Sequence, residues 1–346
     1  MSLVRESLAN DDLRFGVISP WNEGDVTCLA ASERRSSAQN KPVAIGASDW
    51  EETHLIPGAF DYHRPASVAA ATALLAEHGD DARVIAGGHS LIPMMKLRMA
   101  DVPHLVDLRD LTDLRGISVA DDVIRIGAMV TQHEIISDER LAATAPILRE
   151  AALQIADPQV RYAGTVGGNV ANGDPGNDMP GLMQCVDAGF ELAGPDGIRV
   201  VAARDFYESA YVTARADGEI LTSVLIPVAP EGAGWAYEKQ KRKIGDYATA
   251  AAAVTIAVEG GRCTSASIAM TNLSDVPVWA ETAAGALAGG PLDADSRTAA
   301  VAATLDVIDP AADNRGPVEF KKHVAGIILR RAIDRAAARA GLGEKT

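Results

Sequence analysis

A chain of 346 residues with a hydrophobic fraction of 47% exceeds one ordinary compact core and can bury two or three domains. Its formal charge of -15 excludes an electrostatic grip on nucleic acid or anionic lipid, which needs clustered Lys and Arg. Three separated cysteines, Cys28, Cys185 and Cys263, exclude a disulfide framework and any cysteine-based zinc or iron-sulfur site built from this chain alone, and they suit a reducing cytoplasm.

Residues 1–54 mix charges, Ser and Asn without a sustained period and leave Trp21 and Trp50 with no apolar stripe to join. They read as a loosely structured, dispensable extension ahead of a start near Leu55, because a segment without an apolar face cannot offset its ordering entropy by burial. They hold no basic start followed by an apolar core, so secretion is not expected. From Ile56 the signals tighten. "SVAAATALLAEHG" reads as a helix capped by Ser67 and closed by Gly79. Strand "ARVIAGG", the helix-like "LIPMMKLRM" and strand "HLVDLRDL" follow, which puts Gly87 and Gly88 at a helix N-terminus. Next come strands in "ISVADDVIRIGAM", a helical stretch around "TQHEIISDERLAATAPILREAALQI", a second Gly-Gly segment at Gly167 and Gly168, and the helix-like "PGLMQCVDA". Strands in "GFELAGPDGIRVVAA" and "GEILTSVLIPV" suggest a meander through the Asp-Gly turn. Pro and Gly cluster in "APEGAG", a boundary between domains. Three strand candidates, "WAYEKQK", "TAAAAVTIAVEGG" and "CTSASIAMTNL", then precede a helical C-terminal part, so the second domain reads as α+β. The apolar run Tyr247–Val258 is shorter than the roughly 20 residues that cross a bilayer.

Both Gly-Gly segments can do chemistry. Glycine lacks Cβ, so neighbouring N–H groups can line a concavity and approach an anion, and a pyrophosphate is the natural occupant. Ala86, Gly87, Gly88, His89 and Ser90 offer backbone donors and a hydroxyl, with the helix from Leu91 behind them. Thr165, Gly167, Gly168 and Asn169 repeat the offer, and Asp178 is spaced to accept from sugar or ribityl hydroxyls. The competing reading of each pair is a plain tight turn. Neither segment is G-x-G-x-x-G with an acidic residue further on, and no G-x-x-x-x-G-K-[ST] occurs, so Rossmann and P-loop sites lack support. The basic run Lys239–Lys243 reads as a solvated face, with a phosphate contact or a docking edge as alternatives.

The blocks "VIAGGHSLIPMMKLRMA", "LVDLRDL", "IGAMVTQHE", "ADPQVRYAGTVGGNVANGDPGNDMPGLMQC", "ARDFY" and "YEKQKRKIGDYATAAAAV" together resemble the FAD-binding medium subunit of aerobic carbon monoxide dehydrogenase, in the molybdenum hydroxylase and xanthine dehydrogenase superfamily. The resemblance implies an α+β chain. A two-subdomain PCMH-type, vanillyl-alcohol-oxidase-like FAD-binding fold over 55–230 divides near residue 115, and a C-terminal domain of a three-stranded antiparallel sheet with helices follows over 231–340. It implies FAD held by Val84, Ile85, Ala86, Gly87, Gly88, His89, Ser90 and Leu91, by Thr165, Val166, Gly167, Gly168 and Asn169, and by Asp178, Asp246 and Tyr247, with Tyr247 beside the isoalloxazine. The competing reading of Tyr247 is an ordinary half-buried strand tyrosine. The FAD is expected to be noncovalent, since no Cys or His stands where the resemblance places an attachment.

The resemblance further implies a flavin subunit with no catalytic side chain and no metal ligand of its own. The molybdenum cofactor would lie on a large partner subunit and the 2Fe-2S clusters on a small one, in a dimer of heterotrimers. Carbon monoxide and water would become carbon dioxide on the partner, and electrons would cross the clusters to FAD and leave for a quinone-type acceptor. The complex would be cytoplasmic, with at most a peripheral association with the inner face of the membrane. The alternatives are the flavin subunit of another molybdenum hydroxylase acting on an aldehyde or N-heterocycle, a stand-alone FAD oxidoreductase, and a non-enzymatic scaffold.

Overall fold

The computed structural model describes residues 55–342 apart from Asp121, so the expected extension over residues 1–54 lies outside the described residues. The first unit is a parallel sheet of β1 (Asp61–His63), β2 (Ala82–Ile85) and β3 (His104–Asp107) in the order β1-β3-β2. Parallel neighbours need crossovers, and α1 (Val68–His78) and α2 (Leu91–Lys96) supply them. The Ser67 hydroxyl caps α1 by accepting from Ala70 N–H at 3.1 Å, and Gly79, at φ 53, closes it. Side chains alternate across the strands. Val106 and Ala82 therefore meet Ala71 and Leu75 of α1 on one face, while Leu105 and Ile85 meet Met95 of α2 on the other.

The second unit opens with β4 (Ile117–Val119) and β5 (Val123–Gly127). The stretch that follows is not one long helix but α3 (Gln132–Ser137), α4 (Glu139–Thr144) and α5 (Pro146–Ala152). Asp138 ends α3 by capping α4 from its side chain, and Pro146, which cannot donate to a preceding turn, starts α5. Then come α6 (Pro158–Ala163), α7 (Val166–Ala171), α8 (Asp178–Cys185), the hairpin β6 (Gly189–Gly194) and β7 (Gly197–Ala202), the small pair β8 (Tyr207–Ser209) and β9 (Val212–Thr213), and β10 (Ile220–Pro227). The expected meander does not form. The sheet order is β4-β5-β10-β6-β7, with β10 inserted between β5 and β6. Burial explains the choice, since β10 is almost wholly buried whereas β7 is largely exposed and takes the edge.

The third unit is an antiparallel sheet of β11 (Gly234–Gln240), β12 (Ala250–Glu259), β13 (Arg262–Thr271) and β14 (Val278–Trp279). The expected three-stranded sheet thus has a short fourth strand on the edge of β13, where the Arg204 guanidinium lies 3.9 Å from the Trp279 ring centroid. Helices α9 (Glu281–Leu287), α10 (Ala294–Val307) and α11 (Val318–Arg339) cover it. Alanine is a poor strand former, yet Ala250–Ala253 sit buried in β12: Ala250 and Ala252 share a small-residue core with Ala325, Ala332 and Ala336 of α11, while Ala251 and Ala253 point the other way into the core that holds Met179 and Leu182 of α8. Among the described residues no helix is long and apolar enough to cross a membrane.

Across β10, the Arg125 guanidinium donates to both Glu191 oxygens at 2.8 and 2.7 Å, and the Thr222 hydroxyl adds a third bond at 2.7 Å. Hydrogen bonding from Arg125, outweighing burial, holds the Glu191 carboxyl at about 2. A carboxyl lowered on folding stabilises the native state above its unfolded pKa of about 4.3, and that contribution is lost as pH falls towards the folded value. The urea midpoint of a Glu191→Gln variant should therefore fall less steeply than the parent's between about pH 5 and about pH 2.5; parallel curves would show that the pair is not linked to folding.

Candidate functional site

A cleft of about 870 Å³ runs between the ends of β2 and β3, the α6–α7 segment and the β11–β12 loop, within the range of about 300–1,000 Å³ usual for small-molecule and cofactor sites. It is lined by Val84, Ile85, Ala86, Gly87, Gly88, His89, Ser90, Leu91, Thr165, Gly167, Gly168, Asn169, Asp178, Asp246 and Tyr247. Of the residues expected from sequence only Val166 is missing from the wall; its side chain is fully buried in the core behind.

The two glycine segments differ in what they offer. Between β2 and α2, the backbone N–H groups of Ala86, Gly87, Gly88, His89 and Ser90 find no acceptor among the described residues. Gly88 takes φ 74, a left-handed turn that glycine adopts without strain, and Ser90 stands at the α2 N-cap without using its hydroxyl there. His89 and Ser90 are exposed. The second segment does not repeat this offer. Gly167 and Gly168 lie inside the first turn of α7, and their donors are taken: Val166 N–H by Val130 O at 2.9 Å, Gly167 N–H by Ala128 O at 2.9 Å, Gly168 N–H by the Thr165 hydroxyl at 3.0 Å and Asn169 N–H by Thr165 O at 3.1 Å. Asn169 is spent on structure as well, since its Oδ1 accepts from Met179 N–H at 3.3 Å and its carbonyl from Asn177 Nδ2 at 3.0 Å. What the second segment contributes is proximity. A Cβ on Gly87 would run into Ala163 O and would stand 2.8 Å from Gly164 Cα, and one on Gly167 would stand 2.7 Å from Ala128 O. The absent side chains let the two backbones close the cleft's floor.

Asp178 is not free for hydroxyl recognition in the way the sequence suggests. It is buried, with the Tyr237 hydroxyl donating to Oδ1 at 2.5 Å and Lys239 Nζ to Oδ2 at 2.8 Å. Burial, reinforced by the Asp178 charge, pushes the Tyr237 phenol well above its ordinary value, so it remains a donor. Lys239 departs from the solvated-face reading of the basic run, because its side chain is 1% accessible. The period of a strand carried the signal: Tyr237 and Lys239 fall on one face of β11.

Asp246 is buried between Arg242 and Arg315, at 2.9 and 3.0 Å. Burial pushes its carboxyl up, and the two guanidinium hydrogen bonds outweigh this and leave it below the usual carboxylate range. Tyr247 stands at the rim, 43% exposed, donating to Asp174 Oδ2 at 3.0 Å, with the Arg315 guanidinium 5.5 Å from its ring centroid. Burial first and the Asp174 charge second raise its phenol pKa. The sequence reading singled out only part of the wall, and Gln132 is one of the polar residues it left out. Gln132 is 1% exposed, lines the cleft, and has neither amide atom paired among the described residues. A buried amide left unpaired costs about 1–3 kcal/mol, so both atoms require a partner that the cleft can supply. Open donors on one strand end, an unpaired amide in the wall and an aromatic at the rim fit an elongated, anionic and partly aromatic ligand such as FAD.

Residues 58–229 match the FAD binding domain in molybdopterin dehydrogenase, and residues 235–336 match the CO dehydrogenase flavoprotein C-terminal domain. The chain is 58% identical over 286 residues to the carbon monoxide dehydrogenase medium chain of Afipia carboxidovorans, covering 83% of this chain and 99% of that one. It is 43% identical over 285 residues to the corresponding medium chain of Hydrogenophaga pseudoflava, covering 82% and 99%. Among solved structures it is similar to the Cu,Mo-CO dehydrogenase in its cyanide-inactivated form, with a TM-score of 0.81 and 58% identity over 82% of this chain and 99% of that one.

The Asp178–Lys239 pair generates a test that is independent of any ligand. Removing one member of a buried pair strands the other charge and costs about 3–5 kcal/mol, whereas removing both charges is far cheaper. Lys239→Met should lower the urea unfolding free energy by about that much, and Asp178→Asn combined with Lys239→Met should recover most of it; equal losses in the single and double variants would contradict the pairing.

Proposed function

Since the chain belongs to the carbon monoxide dehydrogenase medium-chain family, we propose that it is the FAD-binding, electron-transferring subunit of a complex that oxidises carbon monoxide. The observation that carries this reading is that residues 86–90, whose N–H groups are unpaired, line the same cleft as Gln132 with its unpaired amide. In this reading the N–H row and the Ser90 hydroxyl bind the pyrophosphate, and Gln132 supplies a polar contact from the wall. Thr165, Val166, Gly167, Gly168 and Asn169 shape the floor, with Val84, Ile85 and Leu91 backing the first segment. Asp178 keeps accepting capacity for a ribose or ribityl hydroxyl beside its two protein donors. Asp246, fixed by two arginines, holds the loop that sets Tyr247 against the ring.

Bound FAD supplies a ring that accepts electrons singly and releases them in pairs. The chain's own residues bind it, orient it and limit access to it. Tyr247, with its raised phenol pKa, stays protonated at neutral pH and keeps its bond to Asp174 instead of moving a proton. Among the described residues the thiols are poor nucleophiles and ligands, because burial pushes Cys185 up to about 12 and raises Cys263 as well. That supports leaving the iron-sulfur clusters and the molybdenum cofactor to a small and a large partner subunit. There carbon monoxide and water yield carbon dioxide, two protons and two electrons. The finer reading comprises noncovalent FAD, a PCMH-type domain over 55–230 with subdomains meeting near residue 115, a C-terminal domain over 231–340 and a dispensable extension over 1–54. It also includes a dimer of heterotrimers on the cytoplasmic side and a quinone-type acceptor.

The purified native complex should reduce a quinone analogue in a carbon monoxide-dependent manner, and acid precipitation should release yellow FAD to the supernatant. Reduction by an aldehyde or N-heterocycle but not by carbon monoxide would transfer the chain to another molybdenum hydroxylase. Within the site, Gln132→Leu should weaken FAD binding about tenfold, the effect of losing about 1–3 kcal/mol of hydrogen bonding, while His89→Ala, an exposed loop change, leaves the flavin-to-protein ratio after gel filtration near the parent's. Equal retention in both variants would remove Gln132 from the site.

A further inference from the structure

His63, His78 and His104 come together from separate elements, and none of them lines the flavin cleft. The parallel register pairs Asp61 with His104 and His63 with Val106, so Asp61, His63 and His104 share one face of the β1-β3-β2 sheet. That is the face α1 covers through Ala71 and Leu75. His78 is in the last turn of α1 on the side of Leu75, and so is laid on the same patch. His63 Nε2 and His104 Nδ1 are 3.1 Å apart, the His78 and His104 rings stack at 3.7 Å between centroids, and one ring nitrogen from each of the three lies within 4.8 Å of the others. The Asp61 carboxylate stands 3.8 Å from His104 Nδ1.

We propose that His63, His78 and His104, with Asp61 as a fourth ligand, form a site for a borderline divalent transition metal, Zn²⁺ being the best match. Imidazole nitrogens and one carboxylate are the donors such ions select. Two nitrogens each about 2.0–2.1 Å from a tetrahedral zinc lie roughly 3.3 Å apart, close to the observed spacing of His63 and His104. Engaging His78 takes a rotation out of the stack, which its half-exposed position at the helix end permits. All three imidazoles are half-buried, so an ion can enter from solvent while the sheet and α1 hold the ligands in place. Bound there, the metal ties the C-terminal end of α1 to β1 and β3, a structural clamp outside the electron path. The proposal does not depend on which substrate the complex oxidises.

The test uses the full FAD-loaded chain after dialysis against a chelator, with Zn²⁺ alone as probe in a competition titration and Co²⁺ as a spectroscopic reporter. The expected result is one equivalent of Zn²⁺ bound, with affinity at least about tenfold weaker in His78→Gln and in His104→Gln. The exposed His323→Gln should bind as the parent does, and flavin content serves as the check on folding. Co²⁺ on the parent should give the intense visible bands of a four- or five-coordinate nitrogen and oxygen site. Absence of bound Zn²⁺, equal binding in the parent and both cluster variants, an aqueous-like Co²⁺ spectrum or a thiolate charge-transfer band would each overturn the proposal. The Co²⁺ measurement keeps it exposed to failure even if a histidine variant does not fold.

Discussion

Two backbone approaches organise the molecule. Gly87 lies against Ala163 and Gly164, and Gly167 against Ala128, at separations that leave no room for a Cβ on either glycine. The first contact joins the parallel sheet to the C-terminal end of α6. The second seats α7 on the end of β5. Because both are contacts of main chain on main chain, they fix where the segments run within a few tenths of an ångström, and side-chain repacking cannot substitute for them. The cleft is the space these contacts leave, lined on one side by residues 86–90 with their N–H groups open and on the other by a segment that has already spent its own donors on the fold.

A second tie reaches from this assembly to the C-terminal sheet. Asp178 begins α8, while its partners Tyr237 and Lys239 come from β11. A carboxylate and an ammonium removed from water are tolerated only if each is paired and the remaining lone pairs are used, a condition that the Tyr237 phenol helps to meet. Two of the three residues that anchor β11 against α8, Asp178 and Lys239, therefore also line the cleft and set the polarity of that wall. Structural and ligand roles are not separable there.

Local signals in the sequence were sufficient for elements whose ends are governed by nearby residues. Ser67 and Gly79 bound α1 where the cap and turn rules put them, the two glycine segments could be read together because adjacent glycines can open backbone donors to a shared anion, and Tyr247 entered the site through the family resemblance alone. What was hidden was decided at long range. The position of β10 depended on the relative burial of β7 and β10, a comparison no local pattern contains. The occupation of the second segment's donors depended on β5 arriving beside it. The pairing of Asp178 with Lys239 joined residues whose separate readings, a sugar contact and a solvated cation, were each reasonable on local grounds. Gln132 carried no sequence signal at all, since an amide after a capping threonine is ordinary until its burial is known.

The insertion of β10 also sets an order on synthesis. As the chain leaves the ribosome, β5 and β6 are complete long before residues 220–227 emerge to pair with both. Until then each presents an unpaired edge, the kind of surface that templates pairing with another chain. The sheet's central strand is its last, so closure depends on contacts of large sequence separation, which form slowly. A nascent chain of this protein passes through an interval in which its five-stranded sheet is open at the middle. Such an interval exposes unpaired edges to other chains, the circumstance in which chaperones act on large domains.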